Sequence, residues 1–210
     1  MRVELDVLEI GCGTGLLSFM LSPHVRSLIG VDTANGMIDA FNAKLAQQLK
    51  KQILAGEGAD LNLVPACLLL EDPDDARLQA AAEILLDRRG EKNTGGKFRF
   101  DLVISHLTLH HIPSMPAILQ TAYACLKPGG YIALTDFEDF GEDAIMFHPK
   151  SKREGVERHG IKRKEIEEAM KAAGFEDVKV DATFKLTKKV EERDEAMDFP
   201  FLTMIAKKAP

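Results

Sequence analysis

Val7-Leu8-Glu9-Ile10-Gly11-Cys12-Gly13-Thr14-Gly15-Leu16 is the stretch on which the fold turns. Val7 to Ile10 has strand character and runs into glycines at alternate positions. Leu16 to Leu21 then carries helical spacing, closed near Pro23. Glycines at such a corner permit a tight turn and let the backbone come close to a ligand. A helix opening beside the turn adds N–H groups with no partner inside the helix. Strand, glycine turn and helix in this order begin a βαβ unit, and so a largely parallel sheet.

The alternation continues outward. Ser27 to Val31 reads as a second strand ending at Asp32, and Gly36 to Gln52 as a long helix with Met37, Phe41, Leu45 and Leu49 spaced four apart. Leu61 to Leu70 contains a third strand, Phe100 to Ile104 a fourth and Tyr131 to Thr135 a fifth. Ile118 to Leu126 is a helix stopped by Lys127-Pro128-Gly129-Gly130. Lys164 to Ala173 is another, with Gly174 as its C-terminal cap. Val178 to Val180 and Phe201 to Ala206 read as the last two strands. Residues 71–98 read as an inserted surface helix and loop, with Pro73 as the first helical residue, Leu78, Ala81, Ala82, Leu85 and Leu86 on one face, and a loop from Glu91 to Lys97. The expectation is one α/β domain over 1–210.

Composition narrows the function. With 27 basic against 33 acidic residues, a net charge of −6 argues against a general nucleic-acid binder, which needs clustered positive charge. No apolar run is of membrane-spanning length, and no leader pattern opens the chain, so a cytoplasmic protein with no membrane partner is expected. Cys12, Cys67 and Cys125 are scattered and odd in number, which suggests buried small hydrophobes in a reducing compartment.

A nicotinamide-binding turn is G-x-G-x-x-G. Here Leu16 stands where the third glycine belongs, Gly15 comes one residue early, and Glu9 sets a carboxylate where a pyrophosphate would lie. The E-x-G-x-G-x-G pattern instead resembles motif I of class I S-adenosylmethionine (SAM)-dependent methyltransferases. Gly30-Val31-Asp32, with Met37 five residues on, resembles their second motif. Phe100 to His106 followed by Leu109-His110-His111-Ile112-Pro113 is similar to their strand-four region, and Leu126-Lys127-Pro128-Gly129-Gly130 to the turn before strand five. The likeness runs in order from Val7 to Ala206. It is nearest to the ubiquinone/menaquinone-biosynthesis type of small-molecule methyltransferase.

The resemblance implies a Rossmann-like fold: a mostly parallel seven-stranded sheet with an antiparallel last strand and helices on both faces. It implies SAM as cofactor. Gly11 and Gly13 would pass under its methionine moiety. Asp32 would accept the ribose hydroxyls, unless it only caps the following helix. Met37 would lie on the adenine face, although its spacing suits a core residue equally. Ser105 and His106 would face the methionine end, and Glu9, Cys12 and Thr33 complete the cofactor set. Two departures stand out. The family often carries an Asp after strand three, where this chain has Cys67-Leu68-Leu69-Leu70-Glu71-Asp72, leaving Glu71, Asp72 or backbone for adenine. Few residues precede strand one, where relatives have a covering helix, so a truncated chain is one expectation.

Methyl transfer asks the protein mainly to align an acceptor and exclude water. A base is useful when the acceptor is protonated oxygen or nitrogen. Candidates at the strand ends are His106, then Asp136 and Glu138, whose alternate positions place them on one face. His159, before Gly160, is a fourth. Residues 140–162 are expected to form a lid hinged near Gly155 and Gly160, and their basic runs read as solvated faces. His110-His111 suggests a metal, but neighbours on an α-helix diverge by about 100°, so none is expected. No Asn/Asp-Pro-Pro-aromatic turn follows strand four, and no glutamate pair, which leaves a small-molecule acceptor. The competing expectation is a non-catalytic or degraded SAM-binding module. Nothing in the sequence decides the oligomeric state.

Overall fold

A computed structural model of the chain describes residues 3–56, 62–92 and 95–210. Of the expected elements, Leu61 in the third strand segment and Asn93 in the loop after the third helix lie outside the described residues. The strands are β1 (Val3–Ile10), β2 (Val25–Asp32), β3 (Leu63–Cys67), β4 (Phe100–His106), β5 (Leu126–Phe137), β6 (Glu176–Lys189) and β7 (Ala196–Lys207). The helices are α1 (Leu16–Leu21), α2 (Asn35–Leu54), α3 (Ala76–Arg88), α4 (Met115–Cys125) and α5 (Arg163–Ala172). The strands form one seven-stranded sheet in the order β3-β2-β1-β4-β5-β7-β6. β1 pairs parallel with β2 and β2 with β3, while β7 runs antiparallel to both β5 and β6. This is the mixed sheet with an antiparallel last strand that the sequence led us to expect.

Two compact units make up the chain: residues 1–104 with 124–127, and residues 105–123 with 128–210. In the first, β1 and β2 bury Val7, Leu8, Leu28 and Ile29, successive residues of each strand facing opposite sides of the sheet, and Phe41 of α2 is fully buried. Helix α2 follows the expected stripe at Phe41, Leu45 and Leu49 but departs from it at Met37. Ile38 and Phe41 are its buried residues, and Met37 is 45% exposed, which removes the core alternative for Met37.

The segment expected as an inserted surface helix connects β3 to β4. Leu78, Ala81, Ala82 and Leu85 of α3 are buried, and the helix packs on β3 and β2. Four apolar residues on one helical face must be covered, and the sheet covers them. Pro73 lies outside the helix, which starts at Ala76. Asp75 caps it by accepting the Arg77 N–H at 2.8 Å.

Asp6 anchors the first unit from within β1. Its buried carboxylate accepts from Arg26, from Ser27 Oγ at 2.7 Å and from Arg89 at 2.8 Å, and Lys127 bridges it to Asp101. Burial alone would raise its pKa, but these donors outweigh burial and bring it down to about 2.

The second unit is built on Phe137, Phe147, Val190, Phe199 and Phe201, with Leu107, Met146 and Met197 packed against them. Helix α5 contributes Ile166 and Met170, one turn apart. Gly174 ends it at φ 97°, as expected of a cap. Strands β6 and β7 are much longer than the short runs expected from sequence. They pair from Glu176 with Lys207 to Lys189 with Ala196.

Candidate functional site

In the first unit the chain leaves β1 through Gly11, Gly13 and Gly15, all at positive φ. The N–H groups of Gly11 and Cys12 donate to the Val31 carbonyl at 2.8 and 3.0 Å, tying the loop to the end of β2. Asp32 sits at that end. Its Oδ2 accepts the Gly13 N–H and its Oδ1 the Ala34 N–H, each at 2.9 Å. Asp32 therefore holds the turn that leads to α2 and orders the glycine loop, while the helix N-cap itself is Ala34, with no side-chain cap. A carboxylate has about four lone-pair sites, so each oxygen keeps acceptor capacity.

Other expected cofactor residues take distinct places. Cys12 is buried, and a Cβ added to Gly30 would meet its Cβ at 2.8 Å, so its side chain packs against the β2 backbone. Burial and the nearby carboxylates of Glu9 and Asp32 push its thiol pKa up, which makes it a poor nucleophile. Glu9 is buried beneath the loop and accepts the Ser18 hydroxyl. Burial, with the Asp32 charge in support and Ser18 opposing, lifts its pKa to about 7. Thr33 and Met37 are exposed. Lys44 of α2, which sequence reasoning missed, braces the loop through Thr14 Oγ1 at 2.7 Å and the Thr14 carbonyl at 3.2 Å. Beyond β3, Leu68 and Leu70 are buried while Leu69 is 57% exposed.

In the second unit, Asp136 is the penultimate residue of β5 and is fully buried. Its carboxylate accepts the His110 Nδ1–H at 2.9 Å, the His110 backbone N–H at 3.1 Å and the Phe137 N–H at 2.9 Å. Glu138 goes elsewhere, accepting from Nε and Nη2 of the Arg163 guanidinium at 2.9 to 3.1 Å. The two carboxylates thus serve different partners, and Glu138 also pairs in an isolated parallel bridge with Ile161.

Ser105 is buried, and His106 is exposed, with Nδ1 2.6 Å from Thr135 Oγ1. Partial desolvation lowers the His106 pKa, against the pull of Asp136. Leu107 follows at φ 53°, a left-handed conformation a leucine rarely adopts, with its N–H on the Thr135 carbonyl at 2.9 Å. This turn leads into a 3-10 helix, Leu109–His111.

There the reasoning that neighbouring histidines diverge fails. The His110 and His111 rings lie 4.1 Å apart, and His148 stands 5.0 and 6.1 Å from them. Burial and the neighbouring imidazoles push the His148 pKa down to about 4. Arg158 holds this turn from outside, donating to the carbonyls of Leu109 at 2.6 Å, Ile112 at 2.7 Å and Pro113 at 3.0 Å. His159 beside it has a buried Nδ1 with no protein partner. Within 140–162, Phe147 is stacked on Phe137 at 4.1 Å. Of the two expected hinges, Gly160 lies tight against the Asp139 backbone, and only Gly155 has open space around it.

The sequence of a known family covers most of this chain: the methyltransferase domain family matches residues 2–180. The chain belongs to the methyltransferase domain family. An uncharacterized methyltransferase of Schizosaccharomyces pombe is 27% identical over 158 residues, covering 74% of this chain and 48% of that protein. A ubiquinone biosynthesis O-methyltransferase of Coxiella burnetii is 27% identical over 124 residues, covering 59% and 40%. This chain thus spans less than half the length of these curated relatives. A crystal structure of an S-adenosylmethionine dependent methyltransferase from Mesorhizobium loti shares the fold at a TM-score of 0.61 and 18% identity, covering 98% of this chain and 91% of that one.

The glycine loop of this methyltransferase domain is open to a ligand. A Cβ added at Gly13 would meet nothing within 4 Å, so the loop faces open space. Acceptor capacity at Asp32 stands beside the Gly13 N–H. No described helix is long and apolar enough to cross a membrane.

Proposed function

We propose that this domain transfers the methyl group of SAM to a small-molecule acceptor whose reacting oxygen or nitrogen carries a proton. The observation that carries this reading is the Asp32 carboxylate, fixed by two backbone N–H groups and still able to accept from ribose hydroxyls. When bound, SAM supplies a methyl group already activated on a sulfonium. The chain's own tasks are then to hold, to orient and to take up a proton.

Gly11, Gly13, Asp32 and the exposed face of Met37 are the holding set, with Thr33 and the backbone of Cys12 beside them. Buried beneath the loop, Glu9 supports it through Ser18. Ser105 precedes the proton acceptor. His106 is that base: its lowered pKa keeps the imidazole neutral at physiological pH, and Nδ1 on Thr135 leaves Nε2 to receive the acceptor's proton. Asp136 acts by fixing His110, and His159 closes over the acceptor. Supporting the substrate class, the Coxiella burnetii relative is named for O-methylation in ubiquinone biosynthesis.

Transfer of tritium from methyl-labelled SAM to a whole extract of the source organism, separated afterwards into small-molecule, protein and nucleic-acid fractions, tests this. Label in a small product, lost with His106→Ala, is expected. Label only in protein or nucleic acid contradicts the acceptor class. SAM binding with no turnover on any fraction favours a non-catalytic module.

A further inference from the structure

We propose that His110, His111 and His148 form a binding site for a divalent transition-metal ion of the zinc class, with one coordination position left open. Among the described residues, these three offer ligand nitrogens that all lie within 4.8 Å of one another. A point central to three such atoms is at most about 2.8 Å from each, and zinc binds imidazole nitrogen at about 2.0–2.1 Å, so each ligand closes in by under an ångström.

The surroundings of His110 and His111 match what such ligands need. A metal-bound histidine commonly gives its other ring N–H to a carboxylate or backbone carbonyl, which sets the tautomer and aims the lone pair. His110 gives Nδ1–H to Asp136, which leaves Nε2 for the ion. His111 is bonded by the Gly155 backbone, which leaves its second nitrogen. His148 carries a buried Nδ1 with no protein partner, a loss that binding an ion elsewhere on the ring would do nothing to repair but direct ligation would. Neutral imidazoles suit borderline ions such as Zn(II), Ni(II) and Cu(II) better than Mg(II) or Ca(II). Three histidines without a fourth protein ligand are the pattern of a zinc centre that keeps a position for water or substrate. The backbone is prepared as well: Glu157 and Arg158 donate their N–H groups to the His110 carbonyl at 3.1 and 3.2 Å, and the Arg158 guanidinium holds the rest of the turn.

The test uses the full chain without a histidine tag, stripped with a chelator and titrated with Zn(II) by calorimetry, with Co(II) absorption as a second readout of coordination. One ion per chain is expected, with a rise in Tm on zinc addition. His111→Ala, an exposed position whose loss leaves the core intact, is expected to weaken binding at least about 100-fold, as is His148→Ala; Asp136→Asn should weaken it about 10–100-fold. His24→Ala, on the surface of the other unit, should leave binding unchanged. No saturable binding by the unmodified chain, or undiminished affinity in folded His111→Ala, overturns the site. Methyl transfer plays no part in this measurement, so its outcome is independent of the proposed reaction.

Discussion

Asp32 and Gly13 are joined side chain to backbone, the carboxylate accepting the N–H at 2.9 Å. Nineteen residues apart in sequence, they bring the end of β2 to the turn after β1. One group thereby shapes the loop and presents acceptor oxygens beside it. Asp32→Ala is expected to weaken SAM by about 1.5–3 kcal/mol, the range for hydrogen bonds to a charged group, or roughly 10- to 150-fold in Kd. Calorimetry on the folded variant checks this. An unchanged Kd would reduce Asp32 to a residue that only orders the loop.

His106 sets the expected pH profile. As a base it must be neutral, and desolvation places its pKa below 6.5, so turnover should rise with pH through a limb centred under 6.5 and then level. His106→Ala is expected to lose about 10²–10⁴ in turnover, together with that limb. SAM affinity should stay near the unmodified value. A limb that persists in the variant would hand the role to His159.

Stability should respond to pH from two carboxylates of β1, with opposite signs. Asp6 has its pKa lowered from 3.8 to about 2, so its contribution is present above pH 3.8 and is lost as pH falls towards 2; this is worth about 2 kcal/mol. Glu9 has its pKa raised from 4.5 to about 7, so its contribution is present below pH 4.5 and is lost as pH rises through 7, about 3 kcal/mol at most. His148, whose pKa is lowered to about 4, works in the opposite direction between pH 8 and pH 5, so the Glu9 contribution is read as a difference between two chains. Urea unfolding at pH 5 and pH 8 should show that the unmodified chain loses more stability on going to pH 8 than Glu9→Gln does, and an identical change in the two chains would contradict the burial account.

Gly30 tests the packing under the loop. A Cβ there would stand 2.8 Å from the Cys12 Cβ and 3.2 Å from the Phe41 ring. Gly30→Ala is expected to cost about 1–3 kcal/mol by overpacking. Gly30→Ala combined with Cys12→Gly should recover part of that loss in thermal melts, since the nearest clash is then gone.

Much of the first unit was legible in the sequence because its signals are local. The glycine turn, Asp32 at a strand end and the apolar face of α3 each declare themselves within one element. The partners of that face, β3 and β2, were not, since a long run between two strands does not say which strands it packs on. Strand β6 was read at a fraction of its length. Phe184 and Leu186 alternate, but stay 47% and 42% exposed among lysines, so backbone pairing with β7, not burial, defines the strand. The histidine centre was least legible. Its convergence depends on a left-handed Leu107, on a 3-10 turn in place of an α-helix, and on His148 from a distant segment, none of which has a spacing signature.

SAM retention by the loop at Gly11 to Gly15 with Asp32 is open to calorimetric titration of the purified chain with SAM, S-adenosylhomocysteine and NADH. Saturable one-to-one binding of SAM and S-adenosylhomocysteine is expected, with none of NADH. Binding of NADH with neither adenosyl ligand bound would contradict that expectation.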